Sequence, residues 1–325
     1  MSRSSSMTGM TRLLAAVLAT TTLTARAETI PVGPGQSIQA AIDLALPGDV
    51  IAVAAGEYVG DLDFLGKAIT VSGAPGWASI VRGTGTGPVV TFASGEGPGS
   101  VLDGFTVTGG VAPRGGGIFV AGSSPFILHN KVFDNLAGGS GSGIHLEDSS
   151  AWVWNNAVVW NRSAGGDPHN MQVVRGAPVI VNNTVVRGDS NGILVSGESR
   201  ALILNNIIAF NAGRGICDFS PGTASIHYNV FFRNRKAALL TGGVNWDRIE
   251  SAQAAIGLPR LIGNLDVRPG FEPDIPKGVA SGSVDYGLAA NAAARDVGHP
   301  HPLFADANGT RNDAGSTGGP LGVEP

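Results

Sequence analysis

The sequence predicts an all-β solenoid, in which a single chain winds through stacked turns of three short parallel strands each. The composition is the first indication, because 49 of the 325 residues are glycine, 43% are hydrophobic and only 14% are charged. This combination is typical of many tight turns between short strands and excludes a disordered chain, which would be rich in charge. The other two indications are an internal repeat and an asparagine that recurs at one place in it.

The repeat has a period of about 25 residues, which is in the range of solenoid proteins. Five segments align, at residues 124–135, 150–161, 177–188, 200–211 and 224–234. Each period contains three apolar positions, and these form the columns Ile127, Val153, Ile180, Ile203, Ile226; Val132, Val158, Val185, Ile208, Phe231; and Ile118, Ile144, Met171, Ile193, Ile216. Three apolar columns predict three strands per turn, each with one inward residue.

The recurring asparagines are Asn130, Asn156, Asn183, Asn206 and Asn229. We expect them to form a ladder at one bend of the solenoid, since each side-chain amide can donate to the equivalent group in the next turn. Successive turns lie about 4.8 Å apart, and such a ladder satisfies polar groups that would otherwise be buried without partners.

The chain divides into three predicted parts. Residues 1–27 read as a signal peptide, in which an apolar run, Leu13 to Leu23, precedes the small-residue pattern Ala25-Arg26-Ala27. Residues 28–234 form the β-helix, whose N-terminal end is covered by a helix that Ser37 caps. Residues 235–325 are an irregular tail, rich in Pro, Gly and Asp, that packs on the β-helix.

Charge and cysteine content limit the partners. Removal of residues 1–27 takes away three arginines and leaves 18 basic against 25 acidic residues, a net charge of −7. This balance argues against nucleic acid as a partner. No apolar run is long enough to span a membrane, and Cys217, the single cysteine, excludes an intramolecular disulfide. We expect a secreted, periplasmic or cell-surface protein that is a monomer.

Several strings resemble the right-handed parallel β-helix repeat proteins of the pectate-lyase-like superfamily, of the secreted bacterial type. They are SIQAAIDLALPGDVIAVAAGEY at 37–58, KAITVSG at 67–73, VLDGFTVTGG at 101–110 and the tail DVGHPHPLFADANGTRNDAGSTGGP at 296–320. The resemblance implies a right-handed β-helix. The same fold carries lyases, hydrolases, esterases, epimerases and proteins without known activity, so fold alone does not decide the function.

Three consecutive turns carry longer glycine-rich loops, at residues 109–117, 136–143 and 162–170. We expect them to form a wall beside the outward residues Phe119, His145 and Gln172, and the groove there is the predicted site. The Asp167-Pro168-His169 triplet in the third loop resembles the active-site motif of mannuronan epimerases, although the acidic residue that follows in that family is Asn170 here.

The resemblance to epimerases implies that Asp167 and His169 work with His145 as acid and base at a sugar carbon, while Arg175 pairs with the sugar's carboxylate. A plain Asp-Pro turn is the alternative interpretation of the triplet. Trp152, Trp154 and Gln172 are the predicted substrate-binding residues. The tryptophans also fit an apolar face, with Val181 and Leu204, that the tail covers.

No cofactor is required by these patterns, and calcium is the one that they suggest. Asp306, Asn308 and Asp313 space oxygen ligands around Gly309, as short calcium loops do, but position 317 is Thr where an EF-hand has glutamate. A tail of hydrogen-bonded Asx turns is the alternative. Two functions therefore stay open: an exported β-helix that binds or processes a polysaccharide, such as an acidic one in the manner of a lyase or epimerase, or a non-catalytic surface or structural solenoid.

Overall fold

A computed structural model describes residues 26–165, 169–220, 223–257, 260–271 and 286–322 of the chain. Most of the predicted signal peptide and the predicted site residue Asp167 lie outside these ranges. The described chain winds into a right-handed parallel β-helix, so the predicted fold class is confirmed. Three long sheets, here called A, B and C, form its walls.

Each turn contributes one short strand to each sheet, and consecutive turns pair in parallel. The strands of sheet A are Thr29–Val32, Val50–Val53, Thr70–Ser72, Val101–Asp103, Phe126–Leu128, Trp152–Trp154, Val179–Val181, Leu202–Leu204, Ser225–His227 and Leu261–Ile262. Those of sheet B are Gly56–Val59, Ser79–Arg82, Phe105–Thr108, Lys131–Phe133, Ala157–Val159, Thr184–Val186, Ile207–Ala209, Val230–Phe232 and Leu265–Asp266. Those of sheet C are Leu62–Asp63, Val90–Phe92, Ile118–Ala121, Ile144–Ser149, His169–Gly176, Asn191–Ser196, Arg214–Asp218, Ala237–Thr241 and the antiparallel Val244–Trp246.

The three predicted apolar columns are the core of the solenoid. In sheet A, Ile127, Val153 and Ile180 pair in register on consecutive turns and are fully buried. The columns of sheets B and C show the same one-to-one register. Burial of one branched apolar side chain per strand per turn stabilises the stack, because each residue packs against its equivalents above and below.

The predicted asparagine positions form a hydrogen-bonded ladder at the bend between sheets A and B. The Nδ2 of each asparagine donates to the Oδ1 of the next at 2.9–3.1 Å, and so does its backbone N–H at 2.8–2.9 Å. The ladder extends past Asn229 to Asn264, which continues the same pattern.

A second ladder lies at the bend between sheets B and C, where Asn135, Asn161, Asn211 and Asn234 occupy equivalent places. The turn that contains Gly188 lacks an asparagine there. Asn170, from the adjacent strand of sheet C, fills the gap: its Oδ1 accepts from Asn161 Nδ2 at 3.2 Å and its Nδ2 donates to Asn211 Oδ1 at 3.1 Å.

Helix α1 (Ile38–Leu44) begins at Ser37, whose Oγ accepts a hydrogen bond from the N–H of Ala40 at 3.1 Å. Its buried residues Ile38, Ala41 and Ile42 belong to the same hydrophobic cluster as the first turns. The helix lies at the predicted place and contacts the first strands of sheets A and C.

The solenoid does not end at Asn234, as the repeat suggested. The strands Ala237–Thr241, Leu261–Ile262 and Leu265–Asp266 extend all three sheets by a further turn. Helix α2 (Ile249–Ile256) is inserted within this turn, so the two ladder asparagines, Asn229 and Asn264, are 35 residues apart instead of 23. This insertion hides the last turn from a search for a constant period.

The tail packs on a different face from the predicted one. Its residues Tyr286, Leu288 and Ala294 share a hydrophobic cluster with the outward residues of sheet B, such as Val159 and Val186. Trp152 in sheet A is 39% exposed. The described part of the tail therefore covers sheet B, while a strip of sheet A remains in contact with solvent.

Polar contacts fix the tail at the bend between sheets A and B. Asn155 Nδ2 donates to the carbonyls of Ser316 and Gly318 at 3.0 and 2.7 Å. Asn182 Nδ2 donates to Asn312 Oδ1 at 3.0 Å, and Asn205 Oδ1 accepts from the His299 N–H at 2.8 Å. These three asparagines, the outer asparagine row, each precede a ladder asparagine in sequence and lie in the left-handed region, with φ between 52° and 58°.

Candidate functional site

The three long loops form the predicted wall. Their segments Val111–Arg114, Leu136–Ser140 and Arg162–Ser163 pair in parallel as a small sheet of their own. Beside it, the outward residues Phe119, His145 and Gln172 of sheet C stand in register on three consecutive turns. The wall lies directly on this row, since a Cβ on Gly141 would meet the Cβ of His145 at 2.8 Å.

His145 is consequently buried rather than displayed in an open groove, with only 1% of the residue exposed. Its ring stacks on Phe119 with centroids 5.6 Å apart, and its Nε2 lies 3.6 Å from a carboxylate oxygen of Glu147. Burial, followed by the nearby charge of Arg114, lowers the pKa of His145 below its ordinary value. A side chain enclosed in this way cannot reach a polymer outside the wall.

His169 and Arg175 lie at opposite ends of one strand of sheet C, His169–Gly176. Six residues of extended chain separate them, which corresponds to about 20 Å. His169 is 3% exposed, and its Nδ1 lies 3.2 Å from Asn191 Nδ2. The structure therefore does not bring these two residues to one sugar ring, and a catalytic role for them remains a prediction.

Arg175 is instead part of an ion-pair network at the bend between sheets C and A. Its Nε donates to Asp148 at 2.6 Å and its Nη2 to Glu147 at 3.0 Å. Arg114 binds the other oxygen of Glu147 at 2.6 Å. The hydrogen bond and charge of Asp148 raise the pKa of Arg175 further above its ordinary value. Both arginines are thus already neutralised by carboxylates of the chain itself.

Two of the predicted substrate-binding residues lie on the uncovered face of sheet A. Trp152 is exposed and Trp154 half-buried, with ring centroids 5.9 Å apart, and Phe126 meets Trp152 edge-on at 5.8 Å. Val179 and Leu202 continue the row of Phe126 and Trp152 on the next two turns and are half-buried. These five residues are called the apolar strip below.

The other predicted substrate-binding residue, Gln172, is half-buried and belongs to the row under the wall of sheet C. It is therefore on a different face from the tryptophans. The prediction that the tail covers the whole apolar face is wrong for Trp152, although Val181 and Leu204 are buried.

Two of the predicted metal ligands meet in the tail. Asp306 and Asp313 lie with Asp296 in a group whose ligand oxygens are all within 4.8 Å of one another. The Oδ1 of Asn308, the third predicted ligand, accepts from the N–H and hydroxyl of Thr310, and its role as a ligand remains a prediction. Burial, and then the neighbouring carboxylates of Asp306 and Asp296, raise the pKa of Asp313 to about 6. Three carboxylates at this distance are a set that a hard cation such as calcium prefers.

These features define the chain as a parallel β-helix repeat protein. Residues 99–265, just over half of the 325, match the family described as "Periplasmic copper-binding protein (NosD)", and the chain belongs to this family. No curated protein matches the chain. Among solved structures, the chain is similar to "Crystal structure of pectate lyase Pel9A", at 12% sequence identity and a TM-score of 0.49, over 89% of this chain and 96% of that chain. In the described ranges no helix is long and apolar enough to cross a membrane.

Copper, which the family description names, is bound in proteins chiefly by thiolate, thioether and imidazole groups. Met171 and Cys217 are fully buried. Among the described residues, the carboxylate group of Asp296, Asp306 and Asp313 is the only place where three or more His, Cys, Asp or Glu ligand atoms converge. This donor set does not fit copper.

The histidines of the tail do not supply the missing donors. The Nδ1 of His299 accepts from the N–H of His301 at 3.1 Å, and the Nδ1 of His301 accepts from the N–H of Leu303 at 3.2 Å. In this arrangement the Nδ1 lone pairs of both rings are occupied by backbone donors. No step of the proposed function therefore involves copper.

Proposed function

We propose that this protein is a periplasmic polysaccharide-binding β-helix whose binding surface is the apolar strip of sheet A. The observation that carries the proposal is the aromatic cluster of Phe126, Trp152 and Trp154 on sheet A, in which Trp152 is 39% exposed and the other two are half-buried. Contiguous exposed apolar surface on a soluble protein marks an interaction site.

The shape of the strip suits an extended polymer. Phe126, Trp152, Val179 and Leu202 stand on four consecutive turns, so the row spans about 14 Å along the solenoid axis at about 4.8 Å per turn. Flat indole and phenyl rings offer apolar contact area to the C–H face of a sugar ring at a small cost in side-chain entropy. A chain of sugar rings laid along the axis contacts several turns at once.

The burial of His145 and His169 favours binding over turnover. General acid–base catalysis requires the catalytic group to be within hydrogen-bond reach of the reacting atom, and both side chains are enclosed under the wall of sheet C. The apolar strip lies on sheet A, away from these histidines, and offers no titratable group of its own. The protein therefore retains its polymer without cleaving it.

Calcium completes the proposal as a structural ion. The carboxylates of Asp296, Asp306 and Asp313 are the residues that would hold it, and Asp313 also accepts from the N–H of Asp296 at 2.7 Å. A cation there stabilises the tail where it meets the outer asparagine row, rather than acting on the polymer. This role is one of stability alone.

The experiment is a depletion assay with insoluble cellulose, chitin, xylan and peptidoglycan, in which the protein left in solution is measured. We expect depletion by at least one polymer, and the double variant Trp152→Ala with Trp154→Ala should bind about tenfold more weakly, as is usual when aromatic anchors are removed. Phe219→Ala is the matched control, since Phe219 is 54% exposed but follows a strand of sheet C.

Two further readings complete the assay. Ultraviolet absorbance of unsaturated ends in the supernatant would reveal lyase activity and contradict binding without turnover. No depletion by any polymer would contradict the proposal and leave the alternative, a non-catalytic structural solenoid.

A further inference from the structure

We infer that the apolar strip selects neutral polysaccharides and discriminates against uronate polymers. The inference rests on the proposed function and names the substrate class of the same surface. It departs from the acidic substrate that the Asp167-Pro168-His169 triplet suggested.

On the four turns of the strip, the outward positions of sheet A carry no basic side chain, and His227 follows on the next turn in register with Leu204. Between the turns of Phe126 and Leu202 the two outward rows consist of Phe, Trp, Val and Leu only. A uronate carboxylate placed over them would lose water without gaining a partner, and an uncompensated charge is costly to desolvate.

The charged groups nearest to the strip are already paired. Below Leu128, Asp103 lies 2.7 Å from the Nδ1 of His129, so these two groups are paired with each other. At the bend that leads into sheet A, Arg175 is held by Asp148 and Glu147. Arginine commonly binds a carboxylate through two parallel N–H donors, and the Nε and Nη2 donors of Arg175 are already used in this way by Asp148 and Glu147.

Arg200 is the basic residue that tests the inference most directly. It is exposed and lies two residues before Leu202, at one end of the strip, with the exposed Glu198 at the same bend. The two charges oppose each other, so the bend offers no net positive field to an acidic polymer.

The polar border of the strip fits a neutral sugar. Ser150, exposed, lies two residues before Trp152. A hydroxyl donates to and accepts from sugar hydroxyls without charge. A polymer of β-linked pyranoses with equatorial substituents presents C–H faces to the rings and hydroxyls at its edges. The geometry therefore matches glucan-, xylan- or chitin-type chains.

The test is affinity electrophoresis of the full chain in native gels that contain either hydroxyethyl cellulose or polygalacturonate, with a gel without polymer as reference. We expect retardation in the neutral gel only. Trp152→Ala should abolish most of it, with a dissociation constant about tenfold higher. Arg200→Ala should leave retardation unchanged, and unchanged thermal unfolding would show that each variant is folded.

Equal or stronger retardation by polygalacturonate, suppressed by salt and by Arg200→Ala, would overturn the inference while leaving the proposed function intact. Equal retardation by both polymers that Trp152→Ala abolishes would likewise remove the selectivity and keep the binding surface. Absence of retardation in both gels, together with no depletion by any insoluble polymer, would remove the proposed function itself.

Discussion

Asn170 and Gly188 offer a sharp test of how the second ladder is built. Every other described turn from Asn135 to Asn234 supplies its own asparagine at the bend between sheets B and C, but this turn has Gly188. The side chain of Asn170 occupies the space, because a Cβ on Gly188 would lie 2.6 Å from Asn170 Nδ2.

Asn170→Ala should be strongly destabilising. The side chain makes four hydrogen bonds, to the backbone N–H and Nδ2 of Asn161, to the carbonyl of Val186 and to Asn211 Oδ1, at 3.1–3.3 Å. The change leaves the buried N–H of Asn161 without an acceptor, which costs about 1–3 kcal/mol. With the cavity added, the total loss is about 3 kcal/mol of unfolding free energy.

Gly188→Asn alone should also destabilise, by about 1–3 kcal/mol, because two amides would compete for one space. The double variant, Asn170→Ala with Gly188→Asn, should have an unfolding free energy within about 1 kcal/mol of the wild type. The new asparagine stands where the other turns have their ladder asparagine. Urea unfolding of the four proteins measures the coupling. If the double variant loses as much as the two single variants together, then Asn170 does not act as the missing ladder residue.

Two further predictions concern the tail. Asn182→Ala should destabilise nearly as much as Asn183→Ala, by about 1–3 kcal/mol each, because Asn182 Nδ2 binds the tail at Asn312 and at the Asp313 carbonyl; an innocuous Asn182→Ala in thermal unfolding would show that these contacts contribute little. In EDTA the melting temperature should fall as the pH rises through about 6. The pKa of Asp313 is raised in the folded state, so protonation of Asp313 contributes its full stabilisation only below the ordinary pKa of 3.8 and this stabilisation is lost as the pH rises through about 6. Calcium should raise the melting temperature at pH 7 in the wild type but not in Asp313→Asn. A melting temperature in EDTA that rises as the pH passes through 6 would contradict the raised pKa of Asp313.

The sequence predicts the repeating part of the molecule well, for a physical reason. Each turn needs one inward apolar residue per strand and one amide side chain per bend. Because every turn has the same requirement, the residues that meet it recur at a regular spacing in the sequence. Ile180 and Asn183 are examples that the register confirms.

The non-repeating contacts were harder to predict. Asn182 lies outside the predicted ladder, but it is fully buried and binds the tail. A signal was present in the doublets Asn155-Asn156, Asn182-Asn183 and Asn205-Asn206, in which the first asparagine recurs on three of the five aligned turns. A similar signal was that Asn170 stands where the neighbouring turns have glycine, while Gly188 stands where they have the asparagine of the second ladder.

The candidate site was only partly predictable because burial depends on the loops. The row of Phe119, His145 and Gln172 was placed correctly, and so was the wall. Spacing along the chain could not show that Gly141 brings the wall into contact with His145. It also could not show on which face the tail packs, since the outward residues of sheets A and B are both largely apolar.

The outer asparagine row imposes an order on folding. Its partners in the tail, such as Ser316 and Gly318, are 161 and 163 residues away from Asn155 along the chain, whereas the ladder asparagines of stacked turns are only 23–35 positions apart. Contacts between distant residues form late because closing long loops is entropically costly. The turns therefore assemble first, and for that interval the amides of Asn155, Asn182 and Asn205 and the apolar face of sheet B are open to other chains. We therefore expect the tail to protect this face against association only after the turns have formed.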